Sequence, residues 1–401
     1  MAKTLLIISG GMEAAGLAKR AKESGLYVIV SDGDPRAPGF EFSDSRLIAD
    51  AYGSDETAAA AERFNRKIRK IDGALCVGAD APMTVAAVCT RLGIPGLSRE
   101  TARVASDRMA MRGRFRAAGL RVPWCAAVDT PQELDRIAVE QGGELVVQPV
   151  DRRGARQIAR ANDLHAAFAA ARSRSPTQRV MAEPFLAGPR TYAQSIVANG
   201  KCFTSALCDV AFEVDLVSQY PVENGGDLPS ALTSELQAKI GHLVGKAAAA
   251  LGIANSAVKS EIVVHEGEPH LVEMSTGLSG DLLCTRGIFL SSGVDFAGAA
   301  IDVALGECPP PDELDPHCVV PVICRYAFSR PGRVLAVGGA GEARALPGIA
   351  ELVIAVKPGD IIPAGREKFS PAAMVLATGV TRSEALQRSN AALAQIRIET
   401  S

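Results

Sequence analysis

The feature that most restricts the fold is an alternation of short apolar segments with amphipathic helical segments over the first hundred residues. Glycines end these units: Gly10 and Gly11 follow the first apolar segment, and Gly93 follows a helical one. Repeated strand–helix units of this kind place their strands parallel in one sheet. The hydrophobic periodicity predicts strands at 5–9, 27–30 and 73–77 and helices at 13–24, 56–70 and 82–92.

After Ala110 the pattern changes, because strands that follow one another directly become common. Glu266-Gly267-Glu268 joins two of them as a hairpin-type loop. Pro309-Pro310-Pro311 marks a linker. Helices are predicted at 112–118, 131–141, 164–171, 234–251 and 382–396. Strands are predicted from 122 and at 144–149, 178–184, 191–198, 201–209, 258–265, 269–274, 319–329, 334–337, 352–356 and 373–378.

Length and charge limit the classes of function. A chain of 401 residues exceeds one ordinary hydrophobic core, so several domains are expected. Its net charge of −2 comes from interspersed charges, which does not favour a nucleic-acid or membrane partner. The nine cysteines lack a C-x-x-C pair and are expected to be buried, reduced thiols. The apolar N-terminal run is too short for a signal peptide or membrane span, so a cytoplasmic protein is expected.

A glycine turn after the first strand is the first candidate site. Ser9, Gly10 and Gly11 form the turn, and Asp32 follows the next strand. A dinucleotide site needs G-x-G-x-x-G before the acidic residue, and the glycine spacing here differs. A nicotinamide-dependent oxidoreductase is therefore a minor alternative. The turn is otherwise an ordinary strand–helix connection whose amides can meet a carboxylate or phosphate.

Two glutamates on neighbouring predicted strands form the second candidate. Glu261 and Glu273 flank the hairpin loop, and side chains that face each other across a ladder can share a divalent cation. Strand glutamates are more often simply solvated. Glu273, however, lies in the apolar segment LVEM, where an uncompensated charge is costly.

The third candidate is a basic loop that begins at Gln148. A glycine-bearing loop can close over a polyphosphate, and arginines add donors, although the same sequence is also typical of a solvated turn. The loop carries Arg152, Arg153, Gly154 and Arg156.

Several segments in the same order together resemble the ATP-grasp superfamily, in the branch similar to carbamoyl-phosphate synthase and biotin carboxylase. These segments are VSDGDPRAPG, IDGALCVGADAPMTVAA, LGIPGLSRETARVASDRMAMR, AEPFLAGPRTY, LGIANSAVKSEIVVHEGEPHLVEMSTGLSGD and ARALPGIAELVIAVKPGDII. The resemblance covers essentially the whole chain. It implies an α/β and α+β architecture: an N-terminal parallel βαβ domain (1–109), ATP-grasp subdomains A (110–187) and B (188–310), and a small β-rich closing domain (315–401).

The resemblance also implies chemistry. Members of this superfamily use ATP and Mg²⁺ to convert a small carboxylate into an acyl phosphate, which an amine then attacks in a biosynthetic step. The implied cofactor-binding residues are Arg108, Gln148, Gly154, Glu183, Pro184, Phe185, Leu186 and Arg190. The implied metal-binding residues are Glu261, Glu273 and Ser275. The loop arginines Arg152, Arg153 and Arg156 are the implied catalytic residues. The implied substrate rim consists of Ser9, Gly10, Gly11, Asp32 and Asp80.

Four positions depart from the superfamily pattern. Gln148 replaces a phosphate-binding lysine, and Arg190 replaces an acidic ribose contact. Ser275 replaces a metal-binding asparagine, and Gly277 replaces an arginine near the acyl phosphate. Two interpretations therefore stay open: an atypical but active ligase, or a repurposed or catalytically silent protein. The second would bind another anionic ligand or act as the partner of an active ligase. A homodimer is compatible with either interpretation.

Overall fold

The computed structural model describes residues 2–142, 144–151, 157–159, 163–214, 221–280, 282–362 and 371–401. The chain divides into two compact units. The first contains Met1–Ser205, Leu232–Gly280 and Asp295–Leu314, and the second contains Ala206–Ala231, Asp281–Val294 and Asp315–Ser401. Among the residues described, no helix has both the length and the apolar character needed to cross a membrane.

The first unit begins with the predicted parallel sheet, in the order β3-β2-β1-β4. Its strands are β1 (Thr4–Ile8), β2 (Tyr27–Asp32), β3 (Ser45–Ile48) and β4 (Gly73–Cys76). The helices that follow are α1 (Met12–Glu23), α2 (Ser54–Lys67), α3 (Pro82–Leu92), α4 (Arg99–Ala105) and α5 (Arg108–Ala117). All five residues of β1 are buried, as expected for a central parallel strand. The prediction of a parallel N-terminal domain is confirmed.

A small antiparallel sheet follows, in the order β5-β8-β6-β7. Its elements are β5 (Ala126–Val128), α6 (Pro131–Gln141), β6 (Leu145–Pro149), β7 (Gln157–Ala159), α7 (Leu164–Arg174) and β8 (Val180–Pro184). The core of this layer is formed by apolar side chains that include Leu134, Val147 and Phe168. The strand expected from Val122 begins instead at Ala126.

A second antiparallel layer completes the first unit, in the order β13-β12-β9-β10. Its elements are β9 (Arg190–Ala198), β10 (Lys201–Val214), α8 (Ser234–Ala250), β12 (Ser256–His265), β13 (Glu268–Thr276) and α10 (Phe296–Ala304). β10 starts in the first unit and ends in the second, because the division falls between Ser205 and Ala206.

The second unit is rich in strands, as predicted for the C-terminal part. Its strand order is β10-β11-β14-β18-β16, and β17-β15-β19 form a separate ladder. The elements are β11 (Pro221–Leu228), α9 (Ile288–Ser292), β14 (Val322–Ala327), β15 (Gly332–Gly338), α11 (Ala340–Arg344), β16 (Ile349–Ile354), β17 (Ile361–Ile362), β18 (Ala373–Thr378), α12 (Arg382–Gln395) and β19 (Arg397–Thr400).

β11 contains a sequence, ENGGDL, that is typical of a turn. A Cβ atom on Gly225 would lie 2.1 Å from the Cys324 carbonyl oxygen, and one on Gly226 would lie 2.4 Å from Cys208 Sγ. The glycines of β11 therefore allow neighbouring strands to approach closely, instead of forming a turn.

The cysteines follow the expectation only in part. Cys76, Cys89, Cys208, Cys284 and Cys324 are buried, and Cys125 and Cys202 are half-buried. Cys308 and Cys318 are exposed, so the prediction of burial is wrong for these two.

Candidate functional site

Two carboxylates face each other on the antiparallel layer of the first unit. Glu261 on β12 lies directly opposite Glu273 on β13, and the ladder shifts register immediately after this pair. Both side chains are only 12 % exposed. Since directly opposite residues of a ladder point to the same face, the fold brings the predicted metal carboxylates together.

An arginine accompanies each of these carboxylates. Arg190 Nη1, on β9, donates a hydrogen bond of 2.8 Å to Glu261 Oε1. Arg108 Nη2, from the first turn of α5, lies 3.4 Å from Glu273 Oε1. Each of the two facing carboxylates therefore has a guanidinium beside it. These arginine–carboxylate pairs lower the free-energy cost of burying two carboxylates side by side.

A third ion pair lies deeper in the first unit. Arg112, 2 % exposed, donates hydrogen bonds to the carbonyl oxygens of Val272 (2.8 Å) and Pro123 (3.1 Å) and to the Glu183 carboxylate. Gln148 Nε2 donates to the other oxygen of Glu183 at 2.8 Å. Gln148 is fully buried. Gln148 therefore helps to hold the Glu183 carboxylate in place.

Sequence reasoning missed Arg112. It lies in the arginine-rich segment RMAMRGRFRA, which is typical of a solvated helix face. Its partners come from positions as far away as Val272, so no local pattern identifies it.

Lys259 is a second residue that sequence reasoning missed. It lies two positions before Glu261 on β12, opposite Ser275 on one side and Gln194 on the other. Its Nζ lies 3.8 Å from the centroid of the Tyr192 ring. Because side chains two apart on a strand share a face, Lys259 adds a cation to the face that carries Glu261. The two-residue spacing between Lys259 and Glu261 on a predicted strand was the sequence signal that could have identified Lys259.

The predicted cofactor-binding residues Pro184, Phe185 and Leu186 lie at the end of β8. Pro184 is the last residue of β8, and Phe185 and Leu186 after it are half-buried. The Phe185 amide donates to the Glu144 carbonyl oxygen at 2.9 Å, which fixes the start of this segment. Arg190 lies over the Phe185 ring, 5.8 Å from its centroid.

The structure shows the local surroundings of Ser275 and Gly277. Ser275 Oγ donates to the Lys259 carbonyl oxygen at 3.3 Å, so its hydroxyl bonds to the neighbouring strand. Gly277 has φ +95°, and a Cβ atom there would lie 3.0 Å from the Cys76 carbonyl oxygen. An arginine at this position would be strained on this backbone.

The predicted substrate rim lies at the carboxyl edge of the parallel sheet. Ser9 adopts φ +79° directly after β1. The Gly10 amide donates to Asp32 Oδ2 at 2.7 Å, while Asp32 Oδ1 accepts from the Asp34 amide at 2.8 Å. Gly11 caps α1. The structure thus brings the glycine turn and Asp32 together.

Asp80 follows β4 at the same edge, since β4 lies parallel to and beside β1. Burial raises the pKa of the Cys76 thiol to about 12, and the negative charge of Asp80 contributes to this shift. Glu13, which the sequence analysis did not select, is 8 % exposed in the first turn of α1. A Cβ atom on Gly78 would lie 3.2 Å from Glu13 Cγ, so this acid belongs to the same edge.

The predicted loop residues Arg152, Arg153, Gly154 and Arg156 lie outside the described residues. Asp151, just before them, accepts hydrogen bonds from Ser175 Oγ (2.6 Å) and the Thr177 amide (3.1 Å). Burial tends to raise the pKa of Asp151, but these hydrogen bonds outweigh it and hold the pKa below its ordinary value.

The resemblance implies a bound Mg²⁺, and the side chains present determine whether the protein could hold one. Across the part of the chain that the structure describes, no group of three or more His, Cys, Asp and Glu side chains could hold a metal by itself. Mg²⁺ commonly takes one or two carboxylates and completes its shell with water and substrate phosphates. The facing pair of Glu261 and Glu273 therefore fits Mg²⁺ as a joint ligand with phosphate.

Solved structures with the same architecture are numerous. An L-amino acid ligase from Bacillus licheniformis matches with a TM-score of 0.83 and 18 % identity, covering 100 % of this chain and 99 % of the other. A phosphoribosylglycinamide synthetase from Anaerococcus prevotii matches with a TM-score of 0.76 and 19 % identity, covering 100 % of both chains. The chain has the ATP-grasp fold. A biotin carboxylase from Campylobacter jejuni matches with a TM-score of 0.74 and 19 % identity, over 100 % of this chain and 92 % of the other.

Sequence comparisons add one family model at the C-terminus and one curated relative. The family description "L-amino acid ligase C-terminal domain 2" matches residues 325–401. An uncharacterized protein, y4rH of Sinorhizobium fredii, is 24 % identical over 315 residues, which make up 75 % of this chain. The matched region spans 63 % of the length of that curated relative.

Proposed function

We propose that the protein is an atypical ATP-dependent carboxylate–amine ligase. The observation that carries the proposal is the facing pair Glu261 and Glu273 on a strand face that also holds Lys259. The similarity of the C-terminal segment to a domain of L-amino acid ligases supports an amino acid as one substrate. The division into N-terminal, A, B and closing domains is part of this proposal.

The proposed reaction has two steps. A substrate carboxylate oxygen attacks the γ-phosphorus of ATP, the bond to the leaving ADP oxygen breaks, and an acyl phosphate forms. An amine nitrogen then attacks the acyl carbon, the bond to phosphate breaks, and the nitrogen loses a proton to give the amide. ADP and phosphate are the other products.

The chain's own residues are assigned to these steps by position. The backbone from Pro184 to Leu186 meets the adenine edge, and the preceding residue, Glu183, is held by Arg112 and Gln148. Glu261 and Glu273 would hold Mg²⁺, which would neutralise charge on the transferred phosphoryl group. Arg108 and the loop residues Arg152, Arg153 and Arg156 stabilise phosphate charge. Ser9, Gly10, Gly11, Asp32 and Asp80 line the acceptor side.

A coupled assay of ADP release, run with amino acids as carboxylate donors and a panel of amines, tests the proposal. Glu273→Gln should abolish release, since it removes one of the two facing carboxylates. Glu268→Gln on the same hairpin is the matched control, because Glu268 is an exposed acid that pairs with Lys239 and Arg121. Equal turnover by Glu273→Gln and Glu268→Gln would contradict the assignment.

One observation favours a second candidate, a repurposed protein that binds an anionic ligand without turnover. Arg190 stands where the superfamily has an acidic residue and pairs with Glu261 at 2.8 Å. A guanidinium there favours a ligand with additional negative charge. Binding of ATP or another anion that Glu273→Gln leaves unchanged, with no ADP release for any substrate pair, is the outcome expected for this candidate.

A further inference from the structure

Two histidines lie near the turn of the hairpin that β12 and β13 form. His265 is the last residue of β12, and His270 follows near the start of β13. Both side chains are half-buried. We propose that these two imidazoles together bind a divalent transition-metal ion such as Zn²⁺. This inference does not depend on the proposed ligase activity, because the site uses neither Glu261 nor Glu273.

The register of the hairpin places both imidazoles on one face of the sheet. His265 lies opposite Glu268, and His270 lies opposite Val263. Residues directly opposite each other across a ladder point to the same face, and so do residues two apart along one strand. His265 and His270 are therefore diagonal neighbours on a single face, as two ligands of one ion must be.

The distance between the two rings fits a shared ion. Their centroids are 5.7 Å apart. A zinc ion lies about 2.0–2.1 Å from a coordinating imidazole nitrogen, usually in tetrahedral geometry, so two imidazoles that share it have centroids roughly 5 Å apart. The rings of His265 and His270 need to approach each other by less than about 1 Å to reach this separation. Small rotations of the two side chains are sufficient for that movement.

Backbone hydrogen bonds determine which nitrogen of each ring can bind the ion. His265 Nδ1 donates to the Ala187 carbonyl oxygen at 2.9 Å, and His270 Nδ1 donates to the Glu268 carbonyl oxygen at 3.1 Å. Because a carbonyl oxygen can only accept, the neutral form of each ring carries its proton on Nδ1 and its lone pair on Nε2. Histidines that bind metals almost always donate their other ring N–H in this way. Both rings therefore have the tautomer and the anchoring that metal binding requires.

The surroundings favour an ion with two protein ligands. Glu268, on the same face, pairs with Arg121 at 2.9 Å and with Lys239 at 3.2 Å. Across the described residues, no third His, Cys, Asp or Glu side chain joins the two imidazoles in a metal-binding group. Imidazole suits zinc, copper and nickel, whereas Mg²⁺ prefers oxygen ligands. The pair therefore selects a transition metal, and water completes the coordination shell.

Calorimetric titration of Zn²⁺ into the full chain tests the proposal. The chain is first treated with iodoacetamide, because exposed thiols would also bind Zn²⁺, and millimolar Mg²⁺ is present to fill sites made of oxygen ligands. The variants are His265→Gln and His270→Gln, since glutamine keeps an N–H donor for the backbone carbonyl but has no imidazole. His242→Gln is the matched control, because His242 is an exposed histidine on α8. Thermal unfolding of each variant checks that it is folded.

Wild type and His242→Gln should bind Zn²⁺ with the same affinity. His265→Gln and His270→Gln should each weaken binding by at least about 10- to 100-fold, because even the outer-shell partners of a metal contribute that much. The proposal is overturned if wild type binds no Zn²⁺ at millimolar concentration, or if either His265→Gln or His270→Gln leaves the affinity unchanged. An equal loss in His242→Gln would also overturn it.

Electron paramagnetic resonance of Cu²⁺ bound to the alkylated wild type gives a second test that needs no variant. Cu²⁺ binds nitrogen ligands more tightly than Zn²⁺ does, so it should occupy the same site. The proposal predicts coupling of the unpaired electron to two imidazole nitrogens. A spectrum that shows oxygen ligands alone, or a single nitrogen, would contradict it. Neither measurement uses ATP, so the result is independent of the outcome for the ligase proposal.

Discussion

Replacement of Arg112 by methionine should destabilise the first unit strongly. Arg112 is 2 % exposed and donates to the Val272 and Pro123 carbonyl oxygens and to the Glu183 carboxylate. Methionine fills similar volume but has no donors. The variant therefore leaves a carboxylate that is 3 % exposed without its guanidinium. Removing one partner of a buried ion pair costs about 3–5 kcal/mol.

Urea unfolding followed by tryptophan fluorescence measures this cost directly. The single tryptophan, Trp124, packs against the core of the small antiparallel layer, next to Pro123. The matched control is Arg103→Met, because Arg103 pairs with Glu100 on an exposed surface. This control should shift the midpoint little, since exposed ion pairs contribute little to stability.

A double-mutant cycle separates the ion pair from general packing. Glu183→Gln removes the negative charge, so Arg112→Met combined with Glu183→Gln should cost less than the sum of the single changes. Additive effects, or an Arg112→Met variant as stable as Arg103→Met, would refute the argument that this buried pair organises the site.

Three further predictions concern the backbone, the thiols and the pH dependence of stability. Gly277→Ala should cost about 1–3 kcal/mol, whereas Gly267→Ala, at φ +78° with open space around it, should cost less in the same urea titration. Iodoacetamide at pH 8 should label the exposed Cys308 in the native protein and spare Cys76, because burial raises the pKa of the Cys76 thiol to about 12. Mass spectrometry of peptides identifies the labelled site. Labelling of Cys76 at the rate of Cys308 would contradict the burial of Cys76. Asp151→Asn should lower stability at pH 7, because a carboxyl with a depressed pKa stabilises the folded state above its unfolded pKa. The difference in unfolding free energy between the variant and wild type should vanish as the pH falls through that lowered pKa. A difference that grows as the pH falls would contradict the depressed pKa.

The elements that the sequence located most accurately have strong local signals. The helices at 82–92 and 131–141 were predicted to the residue, since each has a proline at its first position and a glycine at its end. The strand at 373–378 is a run of apolar and small residues that forms a buried central strand. Local chemistry was sufficient in these cases.

Other elements depend on packing that the sequence does not reveal. β11 reads as a turn because two glycines stand in it, yet those glycines fit against Cys324 and Cys208 in a sheet. α10 escaped prediction because eight of its nine residues are buried, so it lacks an amphipathic pattern.

The candidate site likewise has a part that the sequence predicts and a part that depends on the fold. The sequence identified Glu261 and Glu273, and the register places them opposite each other. It did not reveal that Arg190 and Arg108 accompany them, because those residues lie 71 and 165 positions away. Ion pairs between distant positions depend on the assembled fold, whereas carboxylates on one hairpin are set by its two strands.

The most direct test of the ligase proposal is calorimetric titration of ATP into the purified protein, with and without Mg²⁺. We expect micromolar binding that requires Mg²⁺, because Glu261 and Glu273 would hold the cation jointly with phosphate. No detectable binding up to millimolar ATP in the presence of Mg²⁺ would contradict the ligase proposal.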